Sequence, residues 1–122
     1  MDFIGAEIRA AILKYFPGTA STVTQITDRT TGVTLNTTAG QITTDATSLA
    51  AGAEAVFRVT NDKVSAKSVP VIAAASGQTA GTSTPHVSAV SAGTFDITLT
   101  NLHASTADTG AMVINFAIID VE

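Results

Sequence analysis

From Ser21 onward the chain consists of short runs in which large apolar residues recur at every second position. Such alternation is typical of a strand with one buried side and one solvent-facing side. Turn-forming residues bound eight of these runs, at 21–27, 32–36, 40–44, 55–61, 69–75, 86–92, 94–100 and 111–121. No helical segment lies between them that could carry a crossover between parallel strands. The pattern predicts an all-β fold, an antiparallel β-sandwich of the jelly-roll or immunoglobulin-like kind with about eight short strands.

Two of the runs are near copies of each other. Residues 51–61 read "AGAEAVFRVTN" and residues 92–101 read "AGTFDITLTN", so that each run follows Ala-Gly and closes on Thr-Asn. Glycine before a strand permits the positive φ of a tight turn. We expect two structurally equivalent strand starts within one sandwich. The side chains expected to face the core are Phe57, Val59, Phe95, Ile97 and Leu99.

The N-terminal segment differs from all that follows it. In "DFIGAEIRAAILKYF", residues 2–16, apolar residues recur at helical spacing. Asp2 is a plausible N-cap, and Pro17-Gly18 would end the helix. The sequence therefore predicts an amphipathic helix or attachment segment over residues 1–18 and a β-sandwich domain over residues 19–122. The apolar stripe must be covered by its own domain, a sister subunit or another protein, since it lacks the basic flank of a membrane-surface helix.

The last predicted strand, "AMVINFAIIDV", is apolar on both sides. Met112, Ile114 and Phe116 alternate on one side, while Val113 and Ile119 stand on the other. A strand with one wet side would not show this pattern, so we expect it to lie centrally or at a subunit interface. Together with the helix stripe it supplies the predicted interface residues. These are Phe3, Ile4, Ile8, Ile12, Tyr15, Phe16, Val113 and Ile119.

The sequence contains no signature of catalysis. The chain has no Cys, which excludes disulfides, thiolate metal sites and cysteine nucleophiles. His86 and His103 have no third partner at a metal-ligand spacing, and the carboxylates are scattered at positions that suit turns. Neither a Gly-x-Ser-x-Gly elbow nor a Ser-x-x-Lys pair is present. We therefore expect no enzyme activity, no metal and no cofactor.

Charge and hydropathy restrict the partners. The formal net charge is −4, and the six basic residues form no cluster, so the chain is a poor match to a phosphate backbone and we expect no nucleic-acid binding. No apolar run reaches the roughly 18 residues of a membrane span. Only 13% of residues are charged, whereas 21 are Thr and 21 are Ala. Such a surface is suited to contacts with other proteins, because little charge must be desolvated.

Three segments resemble a group of small tailed-bacteriophage virion proteins. They are "TVTQITDRTTGVTLNTTAGQITTDATSLAAGAEAVFRVTN", "ASGQTAG" and "VSAGTFDITLTNLHASTADTGAMVINFAII". The resemblance covers about residues 22–119, and the segments stand in the same order as in that group. It does not extend to the helix predicted at residues 2–16.

The resemblance implies a non-enzymatic virion structural protein, with no catalytic or ligand residue to carry over. Its first implication is a capsid decoration, or cement, protein on the capsid exterior, a homotrimer that contacts the major capsid protein or another virion protein. The alternative is a tail or fibre component, such as an adhesin head that binds host surface glycans. Residues 75–85, "ASGQTAGTSTP", are rich in Gly, Ser and Thr and are expected to form an exposed loop. This loop would then be the recognition surface. A carbohydrate-binding or scaffold module of a cellular protein is a third, generic possibility.

Overall fold

The structure is a computed structural model that describes residues 21–121. The predicted helix and the six interface residues within it, Phe3, Ile4, Ile8, Ile12, Tyr15 and Phe16, lie outside the described residues. The described part is all-β with eight strands, and each strand overlaps one of the eight predicted runs. They are β1 (Thr22–Thr24), β2 (Val33–Thr34), β3 (Ala39–Thr43), β4 (Glu54–Thr60), β5 (Val69–Ser76), β6 (Ser83–Ser91), β7 (Thr94–Asn101) and β8 (Val113–Ile119).

The strands form two four-stranded sheets. Sheet A has the order β1-β3-β8-β5, and sheet B has the order β2-β4-β7-β6. One hydrophobic core contains residues of both sheets, which makes the arrangement sandwich-like. The prediction of about eight short strands in a two-layer β-fold is confirmed.

The prediction that all strands would be antiparallel is wrong for two pairs. β1 and β3 are parallel in sheet A, and β2 and β4 are parallel in sheet B. The expectation rested on the lack of crossover helices, but the first four strands alternate between the sheets. A strand of the opposite sheet therefore forms each crossover, and no helix is needed. Both sheets are mixed.

The core lies between the inner faces of the sheets. Phe95 of sheet B meets Phe116 of sheet A edge to face, with ring centroids 5.8 Å apart, a favoured aromatic geometry. The five predicted core residues, Phe57, Val59, Phe95, Ile97 and Leu99, are all buried. The prediction of these core residues is confirmed. Strict alternation gives each of the two strands only one apolar side that can face the core.

The two near-copies are β4 and β7, which are antiparallel neighbours in sheet B. Gly52 and Gly93, which precede them, have φ values of +76° and +83°, as the turn reading predicted. Asn61, which follows β4, and Asn101, which ends β7, are fully buried and make equivalent hydrogen bonds. The Oδ1 of Asn61 accepts the N–H of Lys63, and the Oδ1 of Asn101 accepts that of His103. Each side-chain amide also donates to a loop carbonyl, so the repeated Asn closes a turn and ties down a loop.

Strand directions give sheet A two distinct ends. β1, β3 and β5 begin at the end where β8 stops. We call it the entry end, because the described chain enters the sheet there at Ser21, whose carbonyl accepts the N–H of Gln41. At the opposite end lie the loops that follow β1, β3 and β5 and the loop that precedes β8. We call it the clasp end, after the cluster of polar side chains described below.

Candidate interaction surface

The four strands of sheet A contain no Asp, Glu, Lys, Arg or His. Sheet B differs, since its strands carry Glu54, Arg58, His86 and Asp96. Neutral side chains lose little hydration energy when a second protein covers them, whereas an unpaired charge loses much. The outer face of sheet A is therefore the candidate interaction surface of the described chain.

The entry end of this outer face is apolar. In register, Val69 stands opposite Ile119, and Val71 stands opposite Ala117, which is also opposite Ala39. We call these five residues the apolar zone. Val69, Val71 and Ile119 are 47%, 49% and 51% exposed. Adjacent half-exposed aliphatic side chains on a face without charge are typical of a surface that another segment or protein covers.

The remainder of the outer face is uncharged and, apart from Ala73 and Val113, mostly polar. Thr22 and Thr24 of β1, Gln41 and Thr43 of β3, and Asn115 of β8 line it. The Nε2 of Gln41 donates to the Oδ1 of Asn115 over 2.9 Å, so the two amides orient each other across the strands. We call these five residues the neutral zone. Its hydroxyls and amides can form hydrogen bonds with a protein neighbour and require no counter-charge.

Two predicted interface residues fall within the described chain. Val113 and Ile119 both lie on the outer face of β8, as the two-sided pattern indicated, and β8 is a central strand. They stand at opposite ends of the strand, however, and only Ile119 belongs to the apolar zone. Sequence reasoning did not single out Val69 and Val71, which complete the apolar zone. The signal was present in the sequence, because "VPVIAAA" is apolar on both sides of the strand, like the last strand.

The outer face of sheet B is charged and carries a shallow hollow of about 270 Å³. Arg58 forms a two-pronged ion pair there with Asp96, from Nε to Oδ1 at 2.9 Å and from Nη2 to Oδ2 at 3.3 Å. Since the cation and the carboxylate neutralise each other, the hollow has no net charge with which to select an ionic ligand. It is lined by Thr30, Gly32, Val56, Phe57, Arg58 and Asp96.

At the clasp end a buried arginine joins the loops. Arg29 is only 3% exposed. Its Nε donates to the carbonyl of Thr47, and its Nη2 donates to those of Asp108 and Gly110 at 3.2 and 2.9 Å. Its Nη1 lies 3.8 Å from the Oδ2 of Asp108. We call Arg29 and Asp108 the clasp, because the pair connects loop segments that are 79 residues apart in the chain.

Asp108 is fully buried within the clasp. Burial by itself raises the pKa of its carboxyl. The nearby Ser83 hydroxyl, the N–H groups of Thr79 and Gly110 and the charge of Arg29 together outweigh burial and lower that pKa below its ordinary value. The two N–H groups bind Oδ1 at 2.9 and 3.0 Å. The clasp is thus an ionised structural site.

We expect Asp108→Asn to cost most stability near neutral pH and progressively less below about pH 4. A carboxyl whose pKa is lower in the folded chain stabilises the fold above its unfolded pKa, and this contribution disappears as the pH falls through the folded value. Urea unfolding of both proteins between pH 7 and pH 3 measures the difference directly. A difference that stays constant over that range would contradict the assignment.

The loop predicted at residues 75–85 is shorter than expected. β5 continues to Ser76 and β6 begins at Ser83, which leaves residues 77–82 as the connection. This connection is held to the loop before β8, because the N–H of Thr79 binds Asp108 and the N–H of Thr109 binds the hydroxyl of Thr79. A cluster of Gly, Ser and Thr predicted an exposed loop. Some of those residues pair with neighbouring strands instead, and local composition does not report such long-range pairing.

The same two loops cross at a pair of glycines. A Cβ added to Gly77, whose φ is +95°, would lie 1.9 Å from the carbonyl oxygen of Ala111, and one added to Gly110 would lie 1.9 Å from that of Gly77. Only residues without a side chain permit backbones to approach so closely. The connection at residues 77–82 is therefore fixed against the body of the sandwich.

Within residues 21–121 no three His, Asp or Glu side chains gather as metal ligands would. The Nδ1 of His103 accepts the N–H groups of Ser105 and Thr106, which makes it a turn residue. Nor does this part of the chain form a helix with the length and hydropathy of a membrane span. Neither a scan against protein-family models nor searches among curated proteins and solved structures finds a match for this chain.

Proposed function

We propose that this chain is a non-enzymatic structural protein of a tailed-bacteriophage virion. In this proposal it is a capsid decoration, or cement, protein that acts on the capsid exterior as a homotrimer and stabilises the head by contacts with the major capsid protein. The resemblance of residues 22–119 to small virion proteins supports the class of protein. A relationship of the sandwich to jelly-roll or immunoglobulin-like folds belongs to the same proposal.

One structural observation carries the proposal, namely the separation of charge between the two sheets. Sheet A is free of charge in all four strands, whereas the outer face of sheet B carries the Arg58–Asp96 ion pair. A protein that functions through buried contact area needs one face that loses little hydration free energy when it is covered, and another face that keeps the protein soluble. In the proposed orientation sheet A faces the protein neighbours, and sheet B faces the solvent.

Copy number in the particle tests the proposed location. Purified virions are dissociated under mild conditions, and the copies of this chain are counted relative to the major capsid protein by quantitative mass spectrometry. A cement protein should be present at a fixed ratio to the shell subunits. A few copies per particle would instead indicate a tail or fibre component and would refute the decoration role.

A charge in the neutral zone should weaken assembly. Thr24→Asp places a carboxylate at an exposed position of β1 in the neutral zone of sheet A, where a protein neighbour would cover it without a counter-charge, so we expect at least about a tenfold loss of incorporation into particles. Thr84→Asp adds the same charge at an exposed position on sheet B and should incorporate normally. Equal incorporation of the two variants would exclude sheet A as the contact face.

The alternative of a glycan-binding adhesin head receives less support from the surface. Sugar recognition commonly uses exposed aromatic rings, but the three phenylalanines among the described residues, Phe57, Phe95 and Phe116, are all buried. The chain has no Trp, and its single Tyr is Tyr15. The connection at residues 77–82, the remnant of the expected recognition loop, is held by the glycine crossing. These features favour the decoration role.

A further inference from the structure

The apolar zone needs a cover, and the described residues do not supply one. Val69, Val71 and Ile119 are about half exposed on an uncharged face. The five residues of the zone are small or branched aliphatics. Even together they offer less surface than the roughly 800 Å² that each partner of a stable protein–protein interface buries. The zone is therefore too small to be a stable dimer interface, but its size suits one short amphipathic segment.

We infer that residues 2–16 of the same chain pack on the apolar zone of sheet A. This segment has a stripe of large apolar residues at helical spacing, and the stripe needs an apolar surface of its own. The outer face of sheet B is a poor match, because the Arg58–Asp96 ion pair occupies it. The strands of sheet A, in contrast, contain no charged residue.

The point where the described chain begins supports this assignment. Ser21 lies beside Gly40 at the entry end of sheet A, in the same cross-strand row as Phe116 and Ile72. The apolar zone occupies the rows at this same end of the sheet. Residues that precede Ser21 therefore approach the sheet next to the zone and not at the clasp end.

The length of the intervening chain is sufficient. From β1 to the gap between β8 and β5 is about 12 Å across the sheet, and a layer packed on the face lies about 10 Å above it, which makes roughly 16 Å in a straight line. Five residue steps, from Phe16 to Ser21, span about 17 Å when extended. Pro17 favours an extended conformation at Phe16. A helix of residues 2–16 would be about 22 Å long, close to the length of β8.

The inference goes beyond the proposed function and does not depend on it. A segment over β8 and β5 would cover Asn115, but it leaves the four neutral-zone residues of β1 and β3 open to a protein neighbour, namely Thr22, Thr24, Gln41 and Thr43. The proposed virion contact and the intramolecular packing therefore use different parts of sheet A. Failure of the one does not entail failure of the other.

Disulfide trapping in the full-length chain tests the packing. The chain has no natural Cys, so two introduced thiols form a unique pair. Val71→Cys is combined with Ile4→Cys, Ile8→Cys or Ile12→Cys, one at a time, because bridging requires Cα atoms within about 7 Å. Dilute protein is oxidised with copper phenanthroline and dissolved oxygen. We expect an intramolecular disulfide, seen as a faster monomer band without reductant and as a loss of two hydrogens in the intact mass.

The matched control uses Val56→Cys in place of Val71→Cys. Val56 is 46% exposed and Val71 is 49% exposed, but Val56 lies on the outer face of sheet B. It should give no intramolecular bridge with any of the three partners. Bridges between chains, or no bridge from position 71, would overturn the assignment to the same chain, as would equal bridging from positions 56 and 71.

A second measurement does not rely on any double variant. In otherwise unchanged full-length chains, the thiol of Val71→Cys should react with a maleimide about tenfold more slowly than that of Val56→Cys, because labelling first requires the segment to open locally. Equal rates would show that the apolar zone is uncovered in solution and would overturn the inference.

Discussion

Arg29→Ala should lower the free energy of unfolding by about 3–5 kcal/mol. The change removes the only cation of the clasp and leaves the Asp108 carboxylate buried and uncompensated. It also leaves the carbonyls of Thr47 and Gly110 without their donor. Since small domains are stable by only about 5–15 kcal/mol, the loss should be visible as a large shift of the urea midpoint.

Arg58→Ala provides the matched control. It also removes the arginine of an Arg–Asp ion pair, but the side chain of Arg58 is 64% exposed whereas that of Arg29 is 3% exposed. Water and salt screen an exposed ion pair, so its loss should change stability only slightly. If the two variants unfold at the same urea concentration, burial of the clasp contributes nothing and the structural role assigned to it is wrong.

Gly77→Ala should lower the free energy of unfolding by about 2–4 kcal/mol. A Cβ at this position would meet the carbonyl oxygen of Ala111 at 1.9 Å, a separation that no side-chain adjustment can relieve. The backbones of the two loops must therefore move apart. The φ of +95° adds the usual cost of the left-handed region for a residue with a side chain. Thermal or urea unfolding measures the loss.

Gly93→Ala separates these two contributions. Gly93 has a similar φ of +83°, but a Cβ there would have nothing within 4 Å. It should cost only the backbone term of about 1–2 kcal/mol. Equal losses at positions 77 and 93 would mean that the loops at the clasp end separate without cost and that their crossing does not hold the connection at residues 77–82.

The strands could be predicted from the sequence because their signals are local. In "TFDITLT" each second residue is apolar and a glycine precedes the run, so neither the strand nor its inward side is ambiguous. The sheet to which each strand belongs is a non-local choice. β1 and β3 are adjacent and parallel only because β2 crosses to the opposite sheet between them. Alternation within a run contains no information about that crossing.

The same distinction explains which parts of the candidate surface could be foreseen. The apolar character of the outer side of β8 could be predicted because a single strand contains the whole pattern. The sequence of β5 is also apolar on both sides. By contrast, Arg29 and Asp108 stand in polar loops and look like ordinary turn residues in the sequence. Their pairing arises when the sandwich brings four loops to one end, as does the glycine crossing. Both depend on contacts between distant segments, which a local pattern does not report.

The absence of charge from sheet A has a consequence for how any assembly made through it would come apart. Contacts without ion pairs are not screened, so raising the ionic strength should not dissociate them. Sulfate and phosphate should strengthen them, whereas urea or guanidinium should release them by solvating apolar and peptide groups. Nor does the sheet contain a group that titrates between acidic and neutral pH. A particle held together in this way would tolerate changes of salt and acidity that loosen charge-based shells.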